Sequence, residues 1–334
     1  MIDLTPDLLL PFIDEARLAP SVHNIQPTRW RIDEKRLCLL GDPARVIPVA
    51  DPNGRDWRLS HGASLEGLGL ALSQRGLKLH NVTRHDQGAL PGPDGLIPVA
   101  EVSLISAGIE KPVTEPVTTR MSWRGKFAAP DREAAKALED LASSRDDLEI
   151  VSDRSMLRVI ASMADQAGLQ FLRDPDHRRE LLHWMRLSPA HVDYDLDGLN
   201  ARAMNLSRPE AWAAGLVLGP LFRALDAIGL AKPLVSEAGT NRSAAALVLL
   251  HRPGGEDPLI SGCAFYRSWL AMERFGLSAC PVSVLADWQP SRDALAQRHG
   301  VPQGREIVSV FRVGKPASAP TIKHTRLPTN ALLV

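Results

Sequence analysis

Residues 19–27 read Ala19-Pro20-Ser21-Val22-His23-Asn24-Ile25-Gln26-Pro27. Upstream, Leu8, Leu9, Phe12, Ile13 and Ala16 recur at helical spacing behind Thr5-Pro6, so a capped helix is expected over 4–19, stopped by Pro20. Downstream, a strand pair is expected around Trp30-Arg31-Ile32 and Arg36–Leu40, separated by the polar turn Asp33-Glu34-Lys35. Between the two prolines, backbone amides and short Ser, Asn and Gln groups are offered to a polar, planar ligand. On spacing alone the same residues also read as an ordinary proline-bounded turn whose Asn stabilises the backbone.

Composition narrows the classes of function. The 334 residues suffice for two compact units or one large domain, and 44% hydrophobic with 23% charged residues fits a sizeable core. Lys plus Arg (39) equals Asp plus Glu (39), which leaves no net field to draw nucleic acid or an anionic membrane. Cys38, Cys263 and Cys280 show no CxxC spacing, arguing for a reducing compartment and against a disulfide framework or structural zinc. The N-terminal stretch carries Asp3, Asp7, Asp14 and Glu15 among its apolar residues, unlike a signal peptide or anchor. No run of about 18 apolar residues occurs. A soluble, cytoplasmic protein is expected.

Further along, a helix is expected from about Leu59 to Gln74, ended by Gly76, and a strand over 97–106. An irregular connector at 107–130 leads to helices near 131–143, 154–172 and 177–186. One or two more fall within 209–230, then a buried strand at 244–251, a long helix at 260–275 and a strand at 306–313. Within this outline, HGASLEGLGLALSQRGL (61–77) resembles SGCAFYRSWLAMERFGL (261–277). Gly62 and Gly262, Leu70 and Leu270, Ala71 and Ala271, Gly76 and Gly276, and Leu77 and Leu277 coincide at a separation of 200. Either two amphipathic helices with glycine stops match by coincidence, or two similar αβ halves pack about a pseudo-twofold axis. In the second case Phe265, Tyr266, Trp269 and Met272 are expected to pack between the halves.

The segment APSVHNIQP is similar to the A-P-S-S-x-N-x-Q-P-W motif of the FMN-dependent nitroreductase family. Ser21, Asn24, Gln26 and Pro27 match; Val22 replaces the second serine, and Thr28 the usual tryptophan, with Trp30 two places on. A second likeness is the family's R-x-S-x-R/K phosphate grip, here Arg120-Met121-Ser122-Trp123-Arg124. Two guanidiniums and a hydroxyl suit a phosphate dianion, though three such residues also read as a solvated basic loop. The third is a C-terminal strand, Gly-x-P turn and basic return, here Phe311-Arg312-Val313-Gly314-Lys315-Pro316 and Lys323-His324-Thr325-Arg326-Leu327-Pro328. In ordinary members the basic motif lies shortly before the serine loop; here it follows by about a hundred residues. Because members are intertwined dimers whose FMN draws one motif from each subunit, the order resembles fused, Acg-type proteins that keep complementary motifs in different halves.

The resemblance implies an α+β nitroreductase fold. Two tandem half-copies, 1–110 and 111–334, would form a pseudo-dimer of central, mostly antiparallel sheets flanked by helices, with a lid-like insertion at about 189–231. It implies an FMN site formed by Pro20, Ser21, His23, Asn24, Gln26, Arg120, Ser122, Arg124, Gly314, Lys315, His324 and Arg326. His23 reads as a ring or substrate contact or as a structural imidazole. NAD(P)H is implied as co-substrate even though no GxGxxG or Walker motif occurs, since in that family the nicotinamide stacks directly on the flavin. The reaction implied is reduction of nitroaromatic or quinone-like acceptors, with no side-chain acid or base assigned. The alternatives are a flavin-sequestering protein, with Met204–Pro209 in the covering segment, and a flavin-dependent dehydrogenase or oxidase of a specialised substrate. His177, His183 and His191 lack zinc-helix spacing, and Asp193, Asp195 and Asp197 read as a solvated loop, so no metal is expected. The partner expected is a small molecule rather than nucleic acid or membrane. Fusion predicts a monomer and leaves a homodimer open.

Overall fold

The computed structural model describes residues 2–86, 88–108, 116–321 and 323–334. The first half opens with α1 (Pro6–Ala16). Thr5 accepts a hydrogen bond from Leu8 N through its Oγ1 at 3.2 Å, and Pro6 stands where no intrahelical N–H is needed. After the loop come β1 (Thr28–Asp33), β2 (Arg36–Gly41), α2 (Arg55–Ser73), β3 (Leu77–Arg84) and β4 (Ile97–Ser106). The strands form an antiparallel sheet ordered β1-β2-β4-β3. Phe12 and Ile13 of α1 and Leu65, Leu68 and Leu72 of α2 bury against Leu37, Leu39, Val102 and Leu104 of the sheet.

The second half begins with α3 (Arg132–Ser144), β5 (Leu148–Val151), α4 (Arg154–Arg173) and α5 (Pro175–Trp184). A short parallel pair follows, β6 (Met185–Arg186) and β7 (Leu199–Asn200), then α6 (Arg208–Leu218), α7 (Phe222–Ala227), α8 (Ala231–Val235) and α9 (Ala238–Ser243). The half closes with β8 (Ala246–Pro253), α10 (Pro258–Arg274), β9 (Ser278–Pro281), α11 (Val284–Asp287), α12 (Gln289–Arg298) and β10 (Arg305–Gly314). Its antiparallel sheet runs β5-β8-β10-β9. β8-α10-β9-β10 therefore repeats β2-α2-β3-β4, each strand in the equivalent sheet position. This is the tandem duplication expected from the 61–77 and 261–277 match. Helices α3 and α10 cover one face of this sheet and α4, α11 and α12 the other, which is why β8 reads as a continuous apolar run.

The halves meet along α2 and α10, which cross at Gly62 and Gly262. The chain's end then returns to the first half: Trp30 N donates to Leu332 O at 2.7 Å and Val334 N to Trp30 O at 2.8 Å, alongside β1. The half boundary expected at 110/111 lies outside the described residues, as do 109–115 of the 107–130 connector. Strands β3, β5 and β9 are absent from the sequence outline because β5 and β9 are only four residues long and β3 exposes most of its residues. Helix α12 escaped for a related reason: it buries only Ser291 and Leu295. Within the 189–231 stretch expected as a lid, Leu199 lines a cavity, whereas Phe222 and Ala231 bury against Leu169 of α4. Among the described residues no helix is long and apolar enough to cross a membrane.

Candidate functional site

The 20–27 loop holds an unusual backbone. His23, Asn24 and Gln26 have φ of 44°, 55° and 51°; non-glycine residues in this region cost about 1–3 kcal/mol each and persist only where neighbours fix them. Ser21 Oγ accepts from Gln26 N at 2.9 Å, and Val22 N donates to Ser60 Oγ of α2 at 3.1 Å. Asn24 Nδ2 donates to Gly198 O and Thr325 O at 3.2 and 3.1 Å. Gln26 Nε2 donates to Leu196 O at 2.9 Å, while its Oε1 accepts from Leu327 N at 2.8 Å. The loop thus clamps two distant segments of the second half.

Held in this shape, Pro20, Ser21, Val22 and His23 form one wall of a cavity of about 170 Å³. Asp56, Leu59 and Ser60 from the first turns of α2 join them. The second half contributes Ser122 and Arg124, Phe265 and Trp269 of α10, Ser283 and Asp287 around α11, and Leu199 of β7. Ser122 and Arg124 are positioned by pairing with β9, where Trp123 N donates to Ala279 O at 2.9 Å. Arg124 is partly buried and has no hydrogen-bond or ion-pair partner among the described residues. Trp269 is 1% exposed, and among the described residues its indole Nε1 meets no acceptor, nor does His23 Nδ1 find a partner. Burial, reinforced by Arg124 and His177, lowers the His23 imidazole to about 4, so it is neutral at physiological pH.

The cavity also has an acidic section. Asp56 and Asp287 share Arg55, whose Nη1 lies 3.4 Å from one carboxylate and 3.9 Å from the other. Burial raises Asp56 to about 6, despite Arg55 and with Asp51 adding to the rise. Asp287 is raised well above its ordinary value by burial first and by the charge of Asp56 second.

Of the residues expected from the sequence, the fold brings Pro20, Ser21, His23, Ser122 and Arg124 to one cavity. The others stand elsewhere. Asn24 and Gln26 spend their amides on the tail and on 196–198, as described. Arg120 is 2% exposed and stacks 4.5 Å over the Trp269 ring and 5.7 Å over Tyr266, with Nη2 donating to Leu18 O at 2.9 Å. Arg326 donates to Arg17 O, Asn24 Oδ1, Thr325 O, Leu18 O and Ala19 O at 2.7–3.3 Å. All five of its N–H donors are engaged, and it serves as the cation closing the C-terminal end of α1. His324 Nε2 is 2.9 Å from Thr118 O. Lys315 pairs with Asp131 and Glu133 at the start of α3. Gly314 ends β10, where a Cβ would meet the Phe127 ring at 2.9 Å.

One further expectation is corrected. Asp197 is not in a solvated loop: it is 4% exposed and receives Arg186 at 2.7 Å and Arg45 at 2.9 Å. Trp269 packs between the halves as its position suggests and also lines the cavity. Asp56, Ser60, Ser283 and Asp287 were not foreseen. An acidic residue in a helix's first turn is ordinary dipole chemistry, so Asp56 carried no local signal, and Asp287 reaches the cavity only through the tertiary fold.

No protein-family model matches the chain. It is 28% identical over 287 residues, 83% of this chain and 76% of the relative, to "Putative NAD(P)H nitroreductase Rv3131" of Mycobacterium tuberculosis. It is 26% identical over 191 residues, 54% of this chain and 55% of the relative, to "Putative NAD(P)H nitroreductase acg" of the same species. Among solved structures, a nitroreductase with bound FMN from Bacteroides fragilis aligns at 16% identity over 64% of this chain and 92% of its own, with a TM-score of 0.35. The FMN-dependent nitroreductase NfnB of Mycobacterium smegmatis, in complex with NADPH, aligns at 18% identity over 64% and 90%, also at 0.35. In sequence, then, the chain is similar to the nitroreductase superfamily and, within it, to its Acg-like members.

Proposed function

We propose that this chain is an FMN-dependent oxidoreductase of the nitroreductase type, using NAD(P)H to reduce nitroaromatic or quinone-like acceptors. The observation that carries this reading is a single cavity built from both halves, with the 20–23 loop on one side and Ser122 and Arg124 on the other. Its donors suit FMN. Arg124, without a counter-ion, and Ser122 would hold the phosphate by charge-assisted bonds. Leu59, Phe265 and Trp269 supply apolar surface for its flat faces. When bound, FMN supplies the two-electron chemistry, while the protein binds, orients and shields it from water. The same reading makes the protein a monomer acting on small molecules, since one chain carries both halves of the pseudo-dimer.

A second reading, a protein that holds flavin without pyridine-nucleotide turnover, is favoured by the segment 196–200. The cavity is smaller than the roughly 300–1,000 Å³ usual for small-molecule sites, and Leu199 forms part of its wall. That segment is tied down through Asn24, Gln26 and the Asp197 ion pairs. Purified protein loaded with FMN and mixed anaerobically with NADPH or NADH separates the two. Bleaching of the yellow band, reversed by a nitroaromatic or quinone, supports the reductase. Bound flavin that neither donor bleaches selects sequestration, and failure to bind FMN overturns both.

A further inference from the structure

Arg120 opens the basic motif read in the sequence, yet the fold buries it outside the cavity lining, 2% exposed. A buried guanidinium is costly unless a carboxylate and hydrogen bonds compensate it. Among the described residues Arg120 makes no ion pair, and the acid whose charge reaches it, Glu273, is itself raised by burial to about 7. Three contacts hold the side chain. Its guanidinium lies 4.5 Å from the centre of the Trp269 ring and 5.7 Å from that of Tyr266. Tyr266, Trp269 and Glu273 recur at i, i+3 and i+7 on α10, so all three belong to one face of that helix. From there Nη2 crosses to the first half and donates to Leu18 O at 2.9 Å, the carbonyl that also accepts from Arg326 at 3.0 Å. Leu18 stands two residues ahead of Pro20, where the strained loop begins.

Closing the end of α1 does not require Arg120, since Arg326 already donates to Arg17 O, Leu18 O and Ala19 O. A cation laid on an indole face, by contrast, holds the ring in place, and such contacts strengthen when desolvated. The ring it holds lines the cavity. We propose that Arg120 is a positioning residue: it braces the Trp269 ring of the second half against the Leu18 stem of the loop in the first, and so fixes the gap between the two cavity walls. Resting on the flavin reading, this makes Arg120 govern affinity for the flat ring system, with the phosphate left to Ser122 and Arg124.

FMN and riboflavin share the ring and differ in the phosphate, so the two separate a brace from a phosphate ligand. Both are titrated into flavin-free protein and followed by flavin fluorescence, with folding checked by melting. Arg120→Met, similar in length and uncharged, is expected to weaken both flavins by the same factor, about tenfold or more. Arg124→Ala should instead weaken FMN more than riboflavin. Arg120→Lys keeps the charge but not the planar fork; it too should weaken both flavins equally, which keeps the test open if the methionine variant fails to fold. In a Trp269→Leu background the Arg120 substitutions should cost less, a coupling that general loosening of the fold does not produce. No loss, loss of FMN alone, or losses unchanged by Trp269→Leu overturn the proposal. If the wild type binds neither flavin, the flavin reading falls and the brace is read on Trp269 itself. Its share of the emission, wild type minus Trp269→Leu, should then differ from the same share measured in Arg120→Met, and identical shares overturn the brace.

Discussion

Gly62 of α2 and Gly262 of α10 face each other where the two helices cross. A Cβ on Gly62 would lie 2.0 Å from Leu259 O, and one on Gly262 would lie 2.1 Å from Leu59 O. This reciprocity is what a pseudo-twofold axis demands, and it brings the two backbones into contact at the seam beside the cavity. Asp56, Leu59 and Ser60 line the cavity from α2 and Phe265 and Trp269 from α10, so the crossing sets the spacing of its walls.

Alanine at either position gains helix propensity but must push the helices apart. Gly62→Ala and Gly262→Ala are each expected to lose about 1–3 kcal/mol in equilibrium denaturation, the usual cost of overpacking. Gly168→Ala on α4, with nothing within 4 Å of its would-be Cβ, should instead gain about 0.5–1 kcal/mol. Equal effects at the three sites would mean that the crossing is not close-packed.

Two arginines that look alike in the sequence are expected to separate. Arg124→Ala removes an unpaired cation from the cavity and should weaken FMN retention about tenfold or more, with little change in melting temperature. Arg326→Ala strips donors from the carbonyls that end α1 and should cost roughly 2 kcal/mol of stability. Arg326→Lys should rescue it poorly, because an ammonium cannot reproduce the planar five-donor fork. FMN dialysis and melting curves on the three variants read both effects. A retention loss confined to the Arg326 variants would return the phosphate to the C-terminal tail.

Much of this arrangement is legible in the sequence where the cause is local. Pro20 and the apolar spacing of 8–16 mark α1, and the 200-residue match marks α2, α10 and the duplication. Ser122 and Arg124 are readable because a basic motif is contiguous. What escapes is set by distance along the chain. Asn24 and Gln26 sit in the expected loop, yet their partners are Gly198, Leu196, Thr325 and Leu327. No pattern in nine residues reveals that such amides clamp segments instead of facing a ligand. The acidic section is hidden likewise: Asp56 and Asp287 are 231 positions apart (287 − 56) and meet only once both halves have folded.

Asp197 ties the 196–200 segment down more firmly than hydrogen bonds alone. It accepts from Arg186 Nε and Nη2 at 3.0 and 2.7 Å and from Arg45 Nη1 at 2.9 Å, nearly buried throughout. Asp197→Ala leaves Arg186 without its carboxylate and Arg45 with only Asp42 at 3.7 Å, a change expected to cost about 3–5 kcal/mol. Hydrogen exchange should accelerate first at 196–200, beside the cavity. Uniform acceleration along the chain would mean that the segment has no independent opening.

The acidic section also predicts how stability varies with pH. Burial holds Asp56 at about 6 against an ordinary 3.8, so between these values the folded state binds more protons than the unfolded one. The stability this contributes is fully present below 3.8 and is lost as pH rises through about 6. At neutral pH ionised Asp56 therefore weighs against the fold, and Asp56→Asn should stabilise it by on the order of 1–3 kcal/mol. His23 and His61 run the other way. Burial lowers them to about 4 and about 3, so their contribution is present above 6.5 and lost as pH falls. Melting curves of wild type and Asp56→Asn across this range cancel the histidines and isolate the carboxyl. The difference should be near zero at the acid end and grow toward neutrality; a flat difference would mean that Asp56 titrates as an exposed group.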